Sequence, residues 1–196
     1  MDLKPFLKLT PVVLDIETTG LDSLQHEIVA IGIKFGRKEH YEVIIVQETI
    51  DEEGLISAFL MAIREFQEKG VLVGYNISRF DIPFIHARAS KYGFGTSILR
   101  QFMRIDLMHV VQRYILTNRR SISLADICDY YGIERDSEFS GALVPEFWQR
   151  KEYDKIYAHL QRDLRSEWAL FERLQDLCAH NLKVRYGLQY EVVWDV

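Results

Sequence analysis

The chain is poor in cysteine and proline, and no long apolar run occurs in it. Its two cysteines, Cys128 and Cys178, sit far apart and in no metal-ligand spacing. They read as reduced thiols of a cytoplasmic protein rather than a disulfide framework or a zinc site. No apolar stretch approaches the roughly 20 residues needed to cross a bilayer. The opening residues Met1-Asp2-Leu3-Lys4-Pro5 lack the basic and apolar blocks of a secretory leader. Positive charge is not in surplus: 24 Lys and Arg against 29 Asp and Glu leave a net charge of −5. That excludes a broad basic surface for coating nucleic acid. It leaves room for a small nucleic-acid site, because bound divalent cations reverse the local field. Internal repeats, low-complexity tracts and linker-like stretches are also missing. The 196 residues therefore read as one domain, with a core over about 10–180 and a C-terminal tail over 187–196.

What is present is patterned for a globular α/β domain, and 48% apolar residues suffice for a sizeable core. Residues 11–17, 27–35 and 41–47 are rich in Val and Ile and predict three strands. Gly36-Arg37-Lys38 predicts the turn that joins the last two into an antiparallel meander. Over 51–69 the period changes, and Leu55, Phe59, Ala62, Ile63 and Phe66 fall on one helical face. Asp51, Glu52 and Glu53 suit the first turn of that helix, and Gly70 suits its stop. Residues 71–74 predict a short buried strand. Residues 76–81 form its exit loop, and Pro83 suits the first turn of a helix reaching Tyr92-Gly93. A strand over 103–107 leads into another helix, and Ser123 caps one that ends at Gly132. After a loop over 134–144, helices are expected near 145–151 and from Tyr153 to about His180. This order predicts a mixed five-stranded sheet flanked by helices, antiparallel strands first and parallel ones after. In such sheets ligands sit beyond the strand ends, where the topology switches.

Three stretches carry chemistry. In the first, Val12-Val13-Leu14 lead into Asp15-Ile16-Glu17-Thr18-Thr19-Gly20. Side chains alternate along a strand, so Asp15 and Glu17 share a face. Two crowded carboxylates suit a hard divalent cation; they equally suit a strand emerging into solvent. The second is Gly74-Tyr75-Asn76 followed by Phe80-Asp81-Ile82-Pro83. Here Asp81 also reads as a helix N-cap. The third is His159 and Asp163, four apart on one helix face, beside an apolar seam of Ile156, Leu160, Leu164, Trp168 and Phe171. Alone, such a pair is usually a surface hydrogen bond.

Together, in this order and spacing, the three motifs resemble the DEDD superfamily of 3′→5′ exonucleases, whose fold is RNase H-like. The resemblance covers about residues 10–175, and is greatest to the proofreading exonuclease domain of family B DNA polymerases. That subgroup also matches at Ile105-Asp106-Leu107 and Ser123-Leu124-Ala125. The chain has no room for a polymerase palm or thumb, so a free-standing nuclease is expected. One position departs from the family. One branch has Tyr four positions before the last Asp, and the other has His five before it. Here His159 stands four before Asp163, the His identity at the Tyr spacing.

The resemblance implies that Asp15, Glu17, Asp81 and Asp163 hold two divalent ions, magnesium or manganese, with Asp15 bridging them. His159 would take a proton from the attacking water or orient it. Thr18 would meet the terminal nucleotide and Leu21 would wedge against its base. Asn76 would position a phosphate or the Asp81 loop. Phe80 either stacks on a base or packs in the core. Arg119 and Arg120 are either backbone contacts or solvated charges. The expected substrate is single-stranded DNA, with RNA as the alternative and a repair or replication protein as a possible partner. A third reading is a catalytically weak binding adaptor, which the intact set of four carboxylates opposes. The apolar tail either packs back on the domain or pairs with a partner.

Overall fold

The computed structural model describes residues 6–35, 41–45, 50–118, 120–135, 140–189 and 191–195. Strand β1 (Phe6–Thr18) is the spine of the sheet. On one side β2 (Ile28–Phe35) pairs with it antiparallel, and β3 (Tyr41–Ile45) pairs antiparallel with β2. On the other side β4 (Gly70–Gly74) and β5 (Met103–Asp106) run parallel, giving the order β3-β2-β1-β4-β5. This is the mixed five-stranded sheet that the sequence predicts. The expected turn at Gly36-Arg37-Lys38 lies outside the described residues.

A sixth strand, β6 (Glu191–Trp194), is an addition to that plan. It runs parallel to the start of β1, pairing Phe6 with Glu191 and Leu9 with Trp194. β1 is therefore longer than the 11–17 expected, because its first residues have a partner from the tail. Trp194 also meets Phe171 edge-on, with ring centroids 5.0 Å apart. The tail thus packs back on its own domain.

Alternation along β1 divides the molecule into two apolar layers. Val12, Leu14 and Ile16 face one layer, built by α1 (Glu52–Ala62), α2 (Asp81–Lys91) and α3 (Ser97–Gln101). Val13 faces the other, built by α4 (Leu107–Tyr114), α5 (Leu124–Tyr131), α6 (Val144–Gln149), α7 (Tyr153–Arg173) and α8 (Gln175–Tyr186). Asp15 and Glu17 follow Val13 in this alternation, so they point toward the α7 layer. Local signals fix several ends. Ser123 Oγ accepts the Asp126 N–H, and Gly132 closes α5 at φ +64°.

Two predicted helices differ in extent. The first is α-helical only to Ala62 and finishes as a 3-10 turn over Ile63–Phe66, with Gly70 already in β4. The long C-terminal helix is broken at Leu174, whose φ of −112° and ψ of 14° turn the chain. Leu174 is itself buried and continues the apolar seam, so periodicity does not reveal the break. The turn brings α8 back onto β5 and α4.

Glu52 stands in the first turn of α1, as expected, but it does more than sit at a helix end. Asp51 is the residue that caps α1, accepting the Gly54 N–H at 2.9 Å. Glu52 turns inward and is buried. Its Oε1 accepts the Ile28 N–H at 2.7 Å and Arg88 Nε–H at 2.8 Å; its Oε2 accepts the Tyr92 hydroxyl at 2.6 Å and Arg88 Nη2. Burial alone would raise its pKa, but these bonds hold it below the usual value. One carboxylate therefore ties β2, α1 and α2 together. Arg88 extends the tie to the Ser23 carbonyl, in the loop after β1. Removing one partner strands a buried charge, so Glu52→Ala should cost about 3–5 kcal/mol. Urea unfolding of the two proteins checks this, and a loss below ~1 kcal/mol would contradict it.

Candidate metal centre

The site forms where the end of β1 meets α7. Asp15 lies opposite Gly32 of β2, and Glu17 opposite Ala30. Gly32 lets α7 come down onto the sheet: a Cβ there would fall 2.5 Å from Leu164 Cδ1 and 3.0 Å from Leu160 Cγ. Leu160 and Leu164 are the buried seam of α7, so His159 and Asp163 ride beside it against the strand, as predicted. His159 Nδ1 lies 3.2 Å from Glu17 Oε1 and 3.5 Å from Asp163 Oδ2. One ligating atom from each of Glu17, His159 and Asp163 falls within 4.8 Å of the others.

Asp81 arrives from the other layer. It is the first residue of α2, with Phe80 at the cap position. Its carboxylate is turned to β1 and accepts the Ile16 N–H at 3.1 Å. The exit turn that delivers it is held by Asp106. Asp106 Oδ1 accepts from Asn76 N–H and Oδ2 from Ser78 N–H, each at 3.1 Å. Asn76 takes φ +66°, which Asn tolerates better than most side chains. A cavity of about 570 Å³ opens over the site, lined by Asp15, Glu17, His159 and Asp163 together with Arg135 and Arg162. Asp81 is buried beside it rather than in its wall.

Positive charge already sits against the acids. Arg135 Nη2–H donates to Asp163 Oδ1 at 2.7 Å, and Arg162 Nε–H to the same oxygen at 3.2 Å. Arg162 Nη2 also lies 3.0 Å from His159 Nδ1. A guanidinium only donates, so Nδ1 accepts from Arg162 in one tautomer and donates to Glu17 in the other. Among the described residues, His159 Nε2 is buried without a hydrogen-bond partner. It faces Gly141, where an added Cβ would stand 3.3 Å away.

The electrostatics follow from burial. Asp15 is held well above the usual carboxylate range, first by burial and then by Glu167, Asp81, Glu17 and Asp163. Glu17 is raised by burial, Asp163 and Asp81, with Arg162 opposing. Burial pushes Asp81 up to about 7 although backbone N–H groups pull it down. Burial lowers His159, and Arg162 and Arg135 add to this against the pull of Asp163, which favours the neutral ring. Buried, mutually repelling carboxylates with a neutral imidazole are a donor set that fits a divalent cation.

The other predicted contacts spread around this centre. Thr18 is buried and its hydroxyl donates to the Gly20 carbonyl at 2.7 Å. Leu21 is 86% exposed in the loop after β1, and Leu24 in the same loop is 84% exposed. Phe80 is half-buried against Phe84, at 5.5 Å between centroids. Arg119 lies outside the described residues, and Arg120 is exposed in its loop. Sequence reasoning missed Arg135, Arg162 and Glu167, and it matched Asp106 only as part of Ile105-Asp106-Leu107, without its role on the turn. Glu167 left a signal too: it continues the four-residue step from His159 through Asp163.

A family model of the RNase_H superfamily matches residues 12–175. An uncharacterised protein of Methanocaldococcus jannaschii is 30% identical over 185 residues, covering 86% of this chain and 97% of that protein. Among solved structures, the family B DNA polymerase of the hyperthermophilic archaeon Pyrobaculum calidifontis is similar in fold, with TM-score 0.71 and 23% identity. The match covers 85% of this chain and 24% of the polymerase, so the chain spans about a quarter of that protein. Among the described residues, no helix is long and apolar enough to cross a membrane.

The raised carboxyl pKa values mean that the fold holds protons that the unfolded chain releases. The stability linked to them is present at low pH and lost as pH rises through the folded pKa, about 7 for Asp81. His159 has the opposite sign, but only below its ordinary value near 6.5. In EDTA the carboxyl-linked loss of melting temperature should therefore be complete by about pH 7, with His159 offsetting part of it below about 6.5, and manganese should raise the melting temperature more above pH 7 than in mild acid. A melting temperature that ignores both pH and manganese in a scanning-fluorimetry series would contradict the assignment.

Proposed function

The chain belongs to the RNase H superfamily, and we propose that it is a metal-dependent 3′→5′ exonuclease releasing nucleoside monophosphates from single-stranded DNA or frayed 3′ ends. The observation that carries this reading is the convergence of Asp15, Glu17, His159 and Asp163 on one cavity, with Asp81 buried beside it. In this reading Asp15, Glu17, Asp81 and Asp163 hold two divalent ions, magnesium or manganese. When bound, the ions supply Lewis-acid stabilisation of phosphoryl oxygens and lower the pKa of water.

The chain's own residues do the rest. Neutral His159 accepts the proton of the attacking water, or orients it, from within the acidic cluster. Arg135 and Arg162, which neutralise Asp163 here, offer guanidinium groups suited to a phosphate. The cavity of about 570 Å³ has the size of a small-molecule site, enough for a terminal nucleotide. Exposed Leu21 would wedge against the terminal base and Thr18 would meet the terminal nucleotide, while Asn76 would position a phosphate or the Asp81 loop and half-buried Phe80 would stack on a base. The fold similarity to a DNA polymerase favours DNA over RNA.

The test is a strand-degradation assay on labelled DNA and RNA, with and without manganese. Mononucleotide release from DNA alone, abolished by EDTA, is the expected result. Release from RNA alone would redirect the substrate, and release from neither would favour a binding adaptor in a repair or replication assembly. Asp15→Ala should abolish hydrolysis while the fold survives, as judged by its melting curve in EDTA. His159→Ala should slow turnover by about 10²–10⁴-fold, the span for losing a general base. A rate within a few-fold of wild type would assign the proton to another group.

A further inference from the structure

The chain buries more acid around β1 than the four motif carboxylates. Glu167 lies on α7 one turn past Asp163 and two past His159, so the three share a face. α7 runs against β1 here, with His159 standing by Glu17. Glu167 is only 2% exposed. Its Oε1 accepts the Tyr75 N–H at 2.8 Å, tying α7 to the turn that leads to Asp81. Its Oε2 is buried and has no hydrogen-bond partner among the described residues.

The other buried acids nearby set the comparison. Glu52 uses both oxygens, and so does Asp106. A carboxyl oxygen buried without a partner is costly, and native folds rarely keep one without a reason. The bond to the Tyr75 N–H uses one acceptor oxygen, which a Gln side chain also has.

We propose that Glu167 is a fifth carboxylate of the divalent-metal centre, its Oε2 serving the ion held by Asp15 either directly or through a coordinated water. Its Oε1 fixes the Tyr75–Asn76 turn at the same time, so one side chain links the ion to the segment that carries Asp81. The inference rests on the metal-dependent reading above.

Manganese titration calorimetry on the whole chain tests it with two variants. Glu167→Gln keeps the acceptor for Tyr75 and removes the charge. Glu167→Asp keeps the charge and shortens the reach to Tyr75. A fifth carboxylate predicts that Glu167→Gln binds manganese at least ~10-fold more weakly than wild type. It predicts that Glu167→Asp binds better than Glu167→Gln. Affinity of Glu167→Gln within two-fold of wild type would overturn the proposal and leave only the backbone tie. So would the reverse order, with Asp binding worse than Gln. Melting curves in EDTA show whether each variant is folded, and if Gln fails to fold, Asp binding more than 10-fold weaker than wild type counts against the charge. If wild type itself binds no manganese, the nuclease reading falls too; if wild type binds and Gln matches it, only this inference falls.

Discussion

Repulsion between carboxylates buried at the end of one strand is the constraint that organises this molecule. Two like charges 4 Å apart repel by about 4 kcal/mol at an effective dielectric near 20. Asp15, Glu17, Asp81 and Glu167 are all shifted toward the protonated form by burial and by one another. The chain meets part of this cost from its own stock of donors. The Ile16 N–H serves Asp81, the Tyr75 N–H serves Glu167, and two guanidinium groups serve Asp163. What these leave unmet is negative charge and unshared oxygen, concentrated in one cavity. A divalent cation is the chemistry that answers it.

Buried acids in this fold divide into two kinds. Glu52 and Asp106 have both oxygens occupied, and the hydrogen bonds on Glu52 hold its pKa down against burial. They fasten strands to helices and need nothing from outside. Asp15, Glu17 and Glu167 are pushed the other way. Hydrogen bonds thus hold one buried acid below its usual value, while burial and like charge push the others above theirs. The first kind holds the second in place: Asp106 fixes the turn before Asp81, and Glu52 with Arg88 fixes the loop that exposes Leu21.

Much of the fold was legible in the residues. β1 through β5, the cap at Ser123 and the stop at Gly132 follow from alternation, helical period and turn chemistry, which are local. The break at Leu174 was not legible, because a buried Leu at a seam position looks the same whether the helix continues or turns. β6 was not legible as a strand of this sheet, because an apolar tail pairs equally well with its own chain or another. In the site, Asp15, Glu17, Asp81, His159 and Asp163 stood out as motifs, and all five come to the end of β1. Arg135 did not stand out, because one Arg in a loop carries no period.

The sequence by itself determined which side chains share a face: Asp15 with Glu17 along a strand, and His159 with Asp163 and Glu167 along a helix. Backbone geometry dictates those pairings whatever surrounds them. Only the tertiary structure decided that the two faces confront each other across Gly32. Only it decided that Glu52 is a buried tie rather than a helix-end charge, and that Glu167 keeps an oxygen unshared. Those outcomes depend on which donors arrive from segments tens of residues away, and no local pattern encodes that arrival.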